Sequence, residues 1–408
     1  MAGPWVLSTD GSVPGASNGY CPGNCHALQL VGRRDLTLLI EPGAELQAKR
    51  GDWHAPVGSH VPMLGLDTCH NVTILAYGAK ISMWKADYAN KSAYNFSEFR
   101  FGLEVFNSSD LRVLGLNVSS TGGDGIYLQA VTNVYIKDCQ LVDNLRQGIS
   151  VIDAVNLTVE DTLLAGTSGA WPMSGLDLEP DGPNQRLQNL TFRRVESRGN
   201  AGCGFQIEPG PLDHPISVVF EDCITRGNGQ IGYNFAGMQS STATGSVKII
   251  RGSVQDEVVG LAFTDKNAAS VLVTVSQLAI TGTTPSGPGE GKDPLDGMYL
   301  RAPVVFSSYE PAVHPWKKFP FGGVVFDRLS VSYSRTNASS RAPVWPWLRI
   351  YHQDVHMPRK LPNPGEANIT GTVDLYTETP ATSCPGVSIG EPTGPRVNVS
   401  IRVECNPN

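Results

Sequence analysis

The chain has 408 residues, 17% of them charged, with 44 glycines and a net charge of −7 at pH 7. A mildly acidic chain lacks the basic face that nucleic acids need, and no stretch is apolar enough to span a bilayer. Neither a nucleic-acid partner nor membrane insertion is therefore expected. The length would suit two ordinary domains, although repetitive folds of this length form one domain.

The N-terminal part of the chain contains an irregular cap region and two early coils of a repeat. The cap region covers residues 1–34, and the coils cover residues 35–48 and 70–83. Residues 84–101 then interrupt the pattern with a polar and aromatic segment that includes Trp84, Tyr88, Tyr94 and Arg100. We predict that this segment leaves the repeat as a loop and walls one side of the candidate site described below, because Gly102 follows directly.

From Gly102 onward, a glycine repeatedly opens a short strand of alternating character. The copies are Gly102-Leu-Glu-Val, Gly125-Ile-Tyr-Leu, Gly148-Ile-Ser-Val, Gly175-Leu-Asp-Leu, Gly204-Phe-Gln-Ile, Gly232-Tyr-Asn-Phe and Gly260-Leu-Ala-Phe. The spacings are 23, 23, 27, 29, 28 and 28 residues, too short for a folded domain in each copy. Each unit must bury its apolar positions against the next, which predicts an all-β, single-stranded parallel β-helix with stacked glycines.

A second strand follows each glycine strand at a nearly fixed offset. It reads Asn133-Val-Tyr-Ile, Asn156-Leu-Thr-Val and Asn189-Leu-Thr-Phe, with related copies at Ile216, Ser246 and Ser270. Apolar and polar residues alternate, as in half-buried strands, and the leading Asn is expected to stack on its equivalents at a turn. An all-β sandwich is the alternative, but it would not need the same glycine at the same phase.

The C-terminal part of the chain is less regular. Residues 282–296 are rich in Gly and Pro and are predicted to form a second inserted loop. Beyond it, strands are predicted at Met298–Leu300, Gly323–Leu329, Trp347–Tyr351, Ile369–Tyr376 and Val397–Val403, so that residues 336–408 form less regular coils. No linker demands a second domain, and we predict a single domain over residues 1–408.

Cysteines and glycosylation sequons bear on the compartment. Cys139 and Cys223 fall at inward-facing phases and are expected to be small core residues. Some sequons coincide with the strand-opening Asn. The sequons at Asn90, Asn95, Asn107 and Asn337 fall outside that register, so they are predicted glycosylation sites. The protein is therefore predicted to be extracellular.

The repeat allows side chains to be placed. With glycine as phase zero, phases one and three are apolar and point inward, so phases two and four point outward. The phase-two column reads Glu104, Tyr127, Ser150, Asp177, Gln206 and Asn234, and the phase-four column reads Phe106, Gln129, Ile152, Glu179, Glu208 and Ala236. Three carboxylates, those of Asp177, Glu179 and Glu208, therefore converge on adjacent coils.

These three carboxylates are the predicted catalytic residues. Carboxyl pairs serve glycoside hydrolysis, in which one acts as general acid and the other as base or nucleophile. Like charges this close should raise at least one pKa, as a general acid requires. The expected spacing does not choose between retention and inversion. The surrounding residues predicted to bind substrate are Asp124, Tyr127, Arg146, Gln147, Asp181 and Gln206.

A calcium site is the competing interpretation of the acidic patch, since Ca²⁺ prefers oxygen ligands in such an arrangement. Otherwise no cofactor and no metal site is predicted. The expected partner is a polysaccharide or glycan.

The coil pattern over roughly residues 28–335 resembles the right-handed parallel β-helix of the pectate-lyase-like superfamily. The segments that carry the closer resemblance, to secreted β-helix proteins described mainly by fold, are Tyr77–Tyr88, Gly122–Leu128, Arg146–Val151 and Ser174–Asp181. The resemblance implies a polysaccharide hydrolase, lyase or epimerase with its site on the outer strand face. The Asn-Thr-Asp, Asp-Asp, Gly-His-Gly and Arg-Ile-Lys set of polygalacturonases and the Asp-Pro-His-Asp of alginate epimerases are absent, so no catalytic residue transfers by motif.

Two classes of function follow. The first is an extracellular carbohydrate-active enzyme, a hydrolase that uses the acidic patch, with a lyase or epimerase as variants. The second is a non-catalytic extracellular glycoprotein of a matrix, cell surface or filament, which could self-associate. An open groove at Asp177 would favour the enzyme, and a covered face would favour the scaffold.

Overall fold

The computed structural model describes residues 5–7, 28–51, 53–55, 58–239, 242–283, 302–309, 322–333, 348–353, 367–377, 387–389 and 397–407. By contacts, the chain divides into two compact units. The first unit contains residues 1–181 and 185–203, and the second contains residues 182–184 and 204–408. Over the described residues the regular structure is parallel β-strand except for one helical turn, α1 (Lys85–Tyr88), which confirms the predicted all-β, right-handed parallel β-helix.

In the first unit, three strands recur in each coil. In chain order they are β1 (Trp5–Leu7), β2 (Leu28–Val31), β3 (Arg34–Leu39), β4 (Glu45–Ala48), β5 (Leu64–Asp67), β6 (His70–Leu75), β7 (Lys80–Ser82), β8 (Leu103–Phe106), β9 (Ser109–Leu114), β10 (Asn117–Ser119), β11 (Ile126–Gln129), β12 (Val131–Lys137), β13 (Gln140–Val142), β14 (Ile149–Val151), β15 (Ala154–Glu160), β16 (Leu163–Ala165), β17 (Leu176–Leu178), β18 (Leu187–Arg193) and β19 (Glu196–Arg198). The strands that follow Gly102, Gly125, Gly148 and Gly175, together with β2 and β5 before them, form the parallel ladder β2-β5-β8-β11-β14-β17. We call it the first-strand ladder.

The other two strands of each coil form parallel ladders of their own, β3-β6-β9-β12-β15-β18 and β1-β4-β7-β10-β13-β16-β19. The register follows the repeat, since Ile126 lies opposite Leu103 on one side and Ile149 on the other. As predicted, the phase-one and phase-three side chains of β8, β11, β14 and β17 are wholly buried. Burying branched apolar side chains in such columns is the main favourable contribution to folding of the stack.

The recurrence of glycine at the same position in each coil has a steric cause. A Cβ built on Gly148 would lie 2.4 Å from the carbonyl oxygen of Gly175 in the next coil, and one on Gly125 would lie 2.7 Å from that of Gly148. The glycines therefore stack within the first unit, as the repeat predicts, because only glycine allows the chains to approach so closely at this corner.

A Gly148→Ala variant is expected to lower the free energy of unfolding by about 1–3 kcal/mol, because the new methyl group must push backbone apart. Urea denaturation followed by circular dichroism would measure the change. Gly182→Ala is the matched control, since a Cβ there would have no heavy atom within 4 Å. An unchanged midpoint for Gly148→Ala would show that the corner is not close-packed.

The strand-opening asparagines form the predicted stack. Asn189 Nδ2 donates to Asn156 Oδ1 at 2.8 Å, Asn156 donates to Asn133 at 2.8 Å, and Asn133 donates to Asp110 at 2.9 Å. Each of these four residues has a positive φ near 56°. Asn and Asp tolerate this left-handed conformation better than other non-glycine residues, which explains their recurrence at the turn.

The second unit is built from coils of the same kind. Its strands are β20 (Phe205–Ile207), β21 (Ile216–Glu221), β22 (Ile224–Arg226), β23 (Ile231–Phe235), β24 (Gly245–Gln255), β25 (Val259–Thr264), β26 (Leu272–Thr281), β27 (Val304–Tyr309), β28 (Gly322–Tyr333), β29 (Leu348–Gln353), β30 (Ala367–Thr377), β31 (Val387–Ile389) and β32 (Val397–Pro407). One parallel ladder is β20-β23-β25-β27-β29-β31. In the other, β21 and β22 both pair with the single long strand β24, which is followed by β26, β28, β30 and β32.

Several predictions fall partly outside the described residues. Only Gly282 and Thr283 of the 282–296 loop are described, the Met298–Leu300 strand lies outside, and of residues 1–34 only 5–7 and 28–34 are described. The later predicted strands coincide with β28, β29, β30 and β32, except that Trp347 lies outside the described part. Cys139 and Cys223 are buried in the core, as predicted. The single-domain organisation stays a prediction. None of the described helical segments is long and apolar enough to cross a membrane.

Candidate functional site

A cleft of 520 Å³ opens on the first-strand ladder of the first unit. Its lining residues are Gln29, His60, Gly65, Leu66, Asp67, Glu98, Phe99, Glu104, Phe106, Tyr127, Gln129, Arg146, Ile152, Glu179 and Asp181. A concave site with aromatic walls and a few convergent polar groups is the usual form of a ligand-binding pocket.

The phase-four column runs along this cleft. Asp67 lies opposite Phe106 and Phe106 opposite Gln129 in the ladder, and Ile152 and Glu179 follow at the same phase in the next two coils. The cleft therefore receives one side chain from each successive coil. From Asp67 to Glu179 there are four strand steps of about 4.8 Å, or roughly 19 Å.

The phase-two column lies deeper than predicted. Glu104 and Tyr127 are 9% and 6% exposed and still line the cleft, whereas Ser150 and Asp177 are 1% and 0% exposed. The expectation that Asp177 is an exposed outer-face residue is therefore wrong. Gln147 Nε2 donates to Asp177 Oδ2 at 2.6 Å, while Gln147 Oε1 accepts from the backbone N–H of Ser174 at 2.9 Å.

The segment 84–101 packs on the turn that precedes β11 and contributes two residues to the cleft. A Cβ on Gly123 would lie 2.2 Å from the carbonyl oxygen of Glu98, so the Gly122-Gly123 pair allows the segment to pack directly on the coil. Its Glu98 and Phe99 line the cleft, as the loop prediction implies. Arg100 does not line the cleft. Its guanidinium is buried and donates to the carbonyl oxygens of Trp53, Ser97 and Asn95.

Arg146 is the centre of the polar network. Its Nη2 lies 3.1 Å from Glu179 Oε2, its Nε 3.4 Å from Glu98 Oε2, and its Nη1 3.5 Å from Asp124 Oδ2. The side chain is 14% exposed, and Arg146 lies three residues before the start of β14. Arg146 therefore links three carboxylates: that of Glu98 on the inserted segment, that of Glu179 on the strand face, and that of the buried Asp124.

Burial and charge act in opposite directions on this network. Burial lowers the pKa of Arg146, but four carboxylates, those of Asp124, Asp177, Glu98 and Glu179, outweigh it and raise the pKa above its ordinary value. Burial raises the pKa of Asp124 to about 6, against the opposing effects of Arg146 and Ser150. Arg146 therefore stays charged and holds the carboxylates around it.

Asp181 and Glu179 lie on the cleft in different environments. Burial, followed by the charge of Glu179, raises the pKa of Asp181, while Arg146, Gln185 and His60 oppose the rise. Glu179 instead has the direct ion pair with Arg146. Two carboxyl groups on one cleft, one biased toward the protonated form and one paired with a cation, can divide acid and base roles.

Sequence reasoning missed His60. Its Nδ1 lies 2.5 Å from Glu104 Oε1, and its ring stacks on Phe99 with centroids 5.1 Å apart. The ring also meets Phe101 and Tyr127 edge to face. His60 lies in an irregular stretch before β5, and Glu98 lies in the inserted segment before β8. Neither residue has a repeat phase from which its position could be predicted.

Two predicted site residues belong to the second unit. Gln206 is buried on β20, and Glu208 is half-buried directly after that strand. Their predicted participation with Asp177 and Glu179 stays a prediction. In the first unit the structure brings together Asp124, Tyr127, Arg146, Gln147, Asp177, Glu179 and Asp181.

The predicted modification and metal sites are separate questions. Asn90, Asn95 and Asn107 are exposed, whereas Asn337 lies outside the described residues, so glycosylation stays a prediction. Within the described part of the chain, no three His, Cys, Asp or Glu side chains are grouped so as to hold a metal ion. The calcium alternative stays a prediction.

Comparisons with known proteins agree with the fold. Residues 68–177 match the family model described as "Right handed beta helix region". A catalytic domain of GH87 alpha-1,3-glucanase in complex with nigerose has a TM-score of 0.53 and 11% identity, covering 98% of this chain and 62% of that chain. No curated protein sequence matches the chain.

Two further solved structures are similar at lower TM-scores. The catalytic unit of the GH87 alpha-1,3-glucanase from Streptomyces thermodiastaticus strain HF3-3 has a TM-score of 0.47 and 11% identity, covering 93% of this chain and 63% of that one. Pectate lyase Pel9A has a TM-score of 0.39 and 15% identity, covering 75% and 72%. This chain spans less than two thirds of the length of both glucanase chains. The protein has the right-handed parallel β-helix fold.

Proposed function

We propose that the protein is an extracellular carbohydrate-active β-helix protein that hydrolyses a polysaccharide in the 520 Å³ cleft. The observation that carries the proposal is the pair Glu179 and Asp181, which line one cleft in contrasting environments beside Arg146. This pair replaces the predicted trio as the chemical centre. Asp177 is wholly buried, and its bond to Gln147 suits a positioning role.

In the proposed reaction, Asp181 is the general acid and donates its proton to the glycosidic oxygen as the bond from the anomeric carbon to that oxygen breaks. Glu179, held as a carboxylate by Arg146, removes a proton from the attacking water or attacks the anomeric carbon itself. Water supplies the hydroxyl group of the new reducing end. Both the inverting and the retaining routes remain open to this pair.

The shape of the cleft supports a chain-like substrate. Its length of roughly 19 Å along the stacking direction suits several sugar units in a row. Phe99, Phe106 and Tyr127 provide aromatic faces against which sugar rings can pack. The GH87 alpha-1,3-glucanase of similar fold holds nigerose, so a β-helix of this kind can bind an α-1,3-linked glucose disaccharide.

The test is incubation of the purified protein with a panel of neutral, acidic and amino polysaccharides, followed by reducing-end assay and binding measurements. We expect release of reducing ends from at least one polysaccharide. A substrate that is cleaved with formation of an unsaturated product, or epimerised without cleavage, would replace the hydrolase by the lyase or epimerase alternative. Failure of every polysaccharide to bind would favour the non-catalytic glycoprotein, for which the burial of Asp177 is the supporting observation.

A further inference from the structure

The charges on the cleft are strongly unbalanced. Five carboxylates line it, those of Asp67, Glu98, Glu104, Glu179 and Asp181, against one guanidinium and one imidazole. Asp124 and Asp177 are wholly buried, and their negative charges raise the pKa of Arg146. The cleft and its aromatic walls define the site, and the charges that line it determine which class of glycan can bind.

Both basic side chains on the cleft already have carboxylate partners. Arg146 is shared by Glu98, Asp124 and Glu179, and the imidazole of His60 contacts Glu104. Recognition of a uronate or sulfate normally uses a free arginine or lysine fork. Among the described lining residues there is no further Arg or Lys, so an anionic glycan would face an excess of negative charge.

Asp67 is the complementary feature. Its carboxylate accepts a hydrogen bond from the Thr68 hydroxyl at 2.8 Å, and within the described residues it forms no ion pair. It lies on β5 directly opposite Phe106 on β8, and both side chains line the cleft. A carboxylate without a cation, near aromatic faces, suits an ammonium group, because both the charge and the ring faces attract it.

We propose that the cleft takes a glycan with free amino groups, that is, a partly or fully N-deacetylated hexosamine polymer. This inference rests on the proposed function and narrows its substrate class. The ammonium group of one sugar would pair with Asp67, while the neighbouring rings pack along Phe106 and Tyr127. The polyuronates on which other proteins of this fold act would be disfavoured.

The test compares binding of glucosamine oligomers, N-acetylglucosamine oligomers, neutral gluco-oligosaccharides and oligogalacturonate by calorimetry at neutral pH. We expect glucosamine oligomers to bind at least about tenfold more tightly than their N-acetylated counterparts, a difference of about 1.4 kcal/mol. Raising the ionic strength should weaken this binding. An Asp67→Asn variant should lose about tenfold in affinity for glucosamine oligomers. Glu41→Gln, an exposed glutamate outside the cleft, should lose nothing.

The outcomes separate this inference from the proposed function. Equal or tighter binding of N-acetylated or neutral oligomers would overturn the amino-sugar class and leave the hydrolase intact. Tighter binding of oligogalacturonate, with or without added calcium, would also overturn it. Binding of none of the oligomers would remove both proposals.

Discussion

Replacing Asp181 with asparagine is expected to lower kcat on a cleaved polysaccharide by about 10²–10⁴-fold, the usual contribution of a general acid. An amide cannot protonate the leaving oxygen, although it keeps the size of the side chain. KM should change little, because the lost interaction acts in the transition state. Asp181 is only partly buried at the mouth of the cleft, so the fold should survive.

The pH profile gives a sharper test than the rate alone. A general acid works in its protonated form, and burial raises the pKa of Asp181. Wild-type activity should therefore fall on the alkaline side as Asp181 loses its proton, and that limb should disappear in the variant. Asp213→Asn, an exposed acid in the second unit, is the control. Full activity with an unchanged profile in Asp181→Asn would remove Asp181 from the reaction.

Replacing Arg146 with glutamine is expected to cost about 3–5 kcal/mol of folding free energy, because it leaves buried carboxylates without their cation. Asp124 and Asp177 are both 0% exposed, and Asp124 lies 3.5 Å from the guanidinium. Thermal and urea denaturation would measure the loss. Arg50→Gln is the control, since Arg50 is 67% exposed and its ion pair with Asp87 lies at the surface, where such pairs contribute little to stability.

The loss should depend on pH in a defined direction. The pKa of Asp124 rises from 3.8 to about 6 in the folded protein, so the folded state keeps the proton that the unfolded state releases first. This group therefore contributes stability at low pH that is lost as pH rises through this window. Without Arg146 the pKa of Asp124 should rise further, so the variant should lose less stability at pH 4 than at pH 8. Equal losses at both pH values would contradict the role given to this ion pair.

Most of the fold could be predicted from the repeat. The position of the glycine and the alternation of apolar residues are local features of the sequence, and the same packing recurs in every coil. Gly148 and Gly175 stack because a Cβ between them has no room, and Asn156 and Asn189 stack because one amide can both donate and accept. Such one-dimensional order is readable from spacing.

The site was predictable only in part. Phase correctly placed Glu179 and Tyr127 on the outer face, and Arg146 and Asp181 next to it. It could not show that Asp177 is wholly buried, since burial depends on how neighbouring coils pack, and the Gln147 amide that bonds to Asp177 comes from another coil. His60 and Glu98 have no equivalent positions in the repeat. They reach the cleft through irregular segments, whose course is set by tertiary packing.

The one-residue-per-coil lining of the cleft has an evolutionary consequence. Phe106, Gln129, Ile152 and Glu179 each come from a different coil, and neighbouring coils meet through nearly the same glycine corner and apolar columns. Gain or loss of one coil by unequal recombination would lengthen or shorten the cleft by one strand step of about 4.8 Å. The interfaces on either side would be preserved, since each coil packs only on its neighbours. The number of sugar subsites could thus change between descendants of such a gene without a new fold and without disturbing the acids at one end.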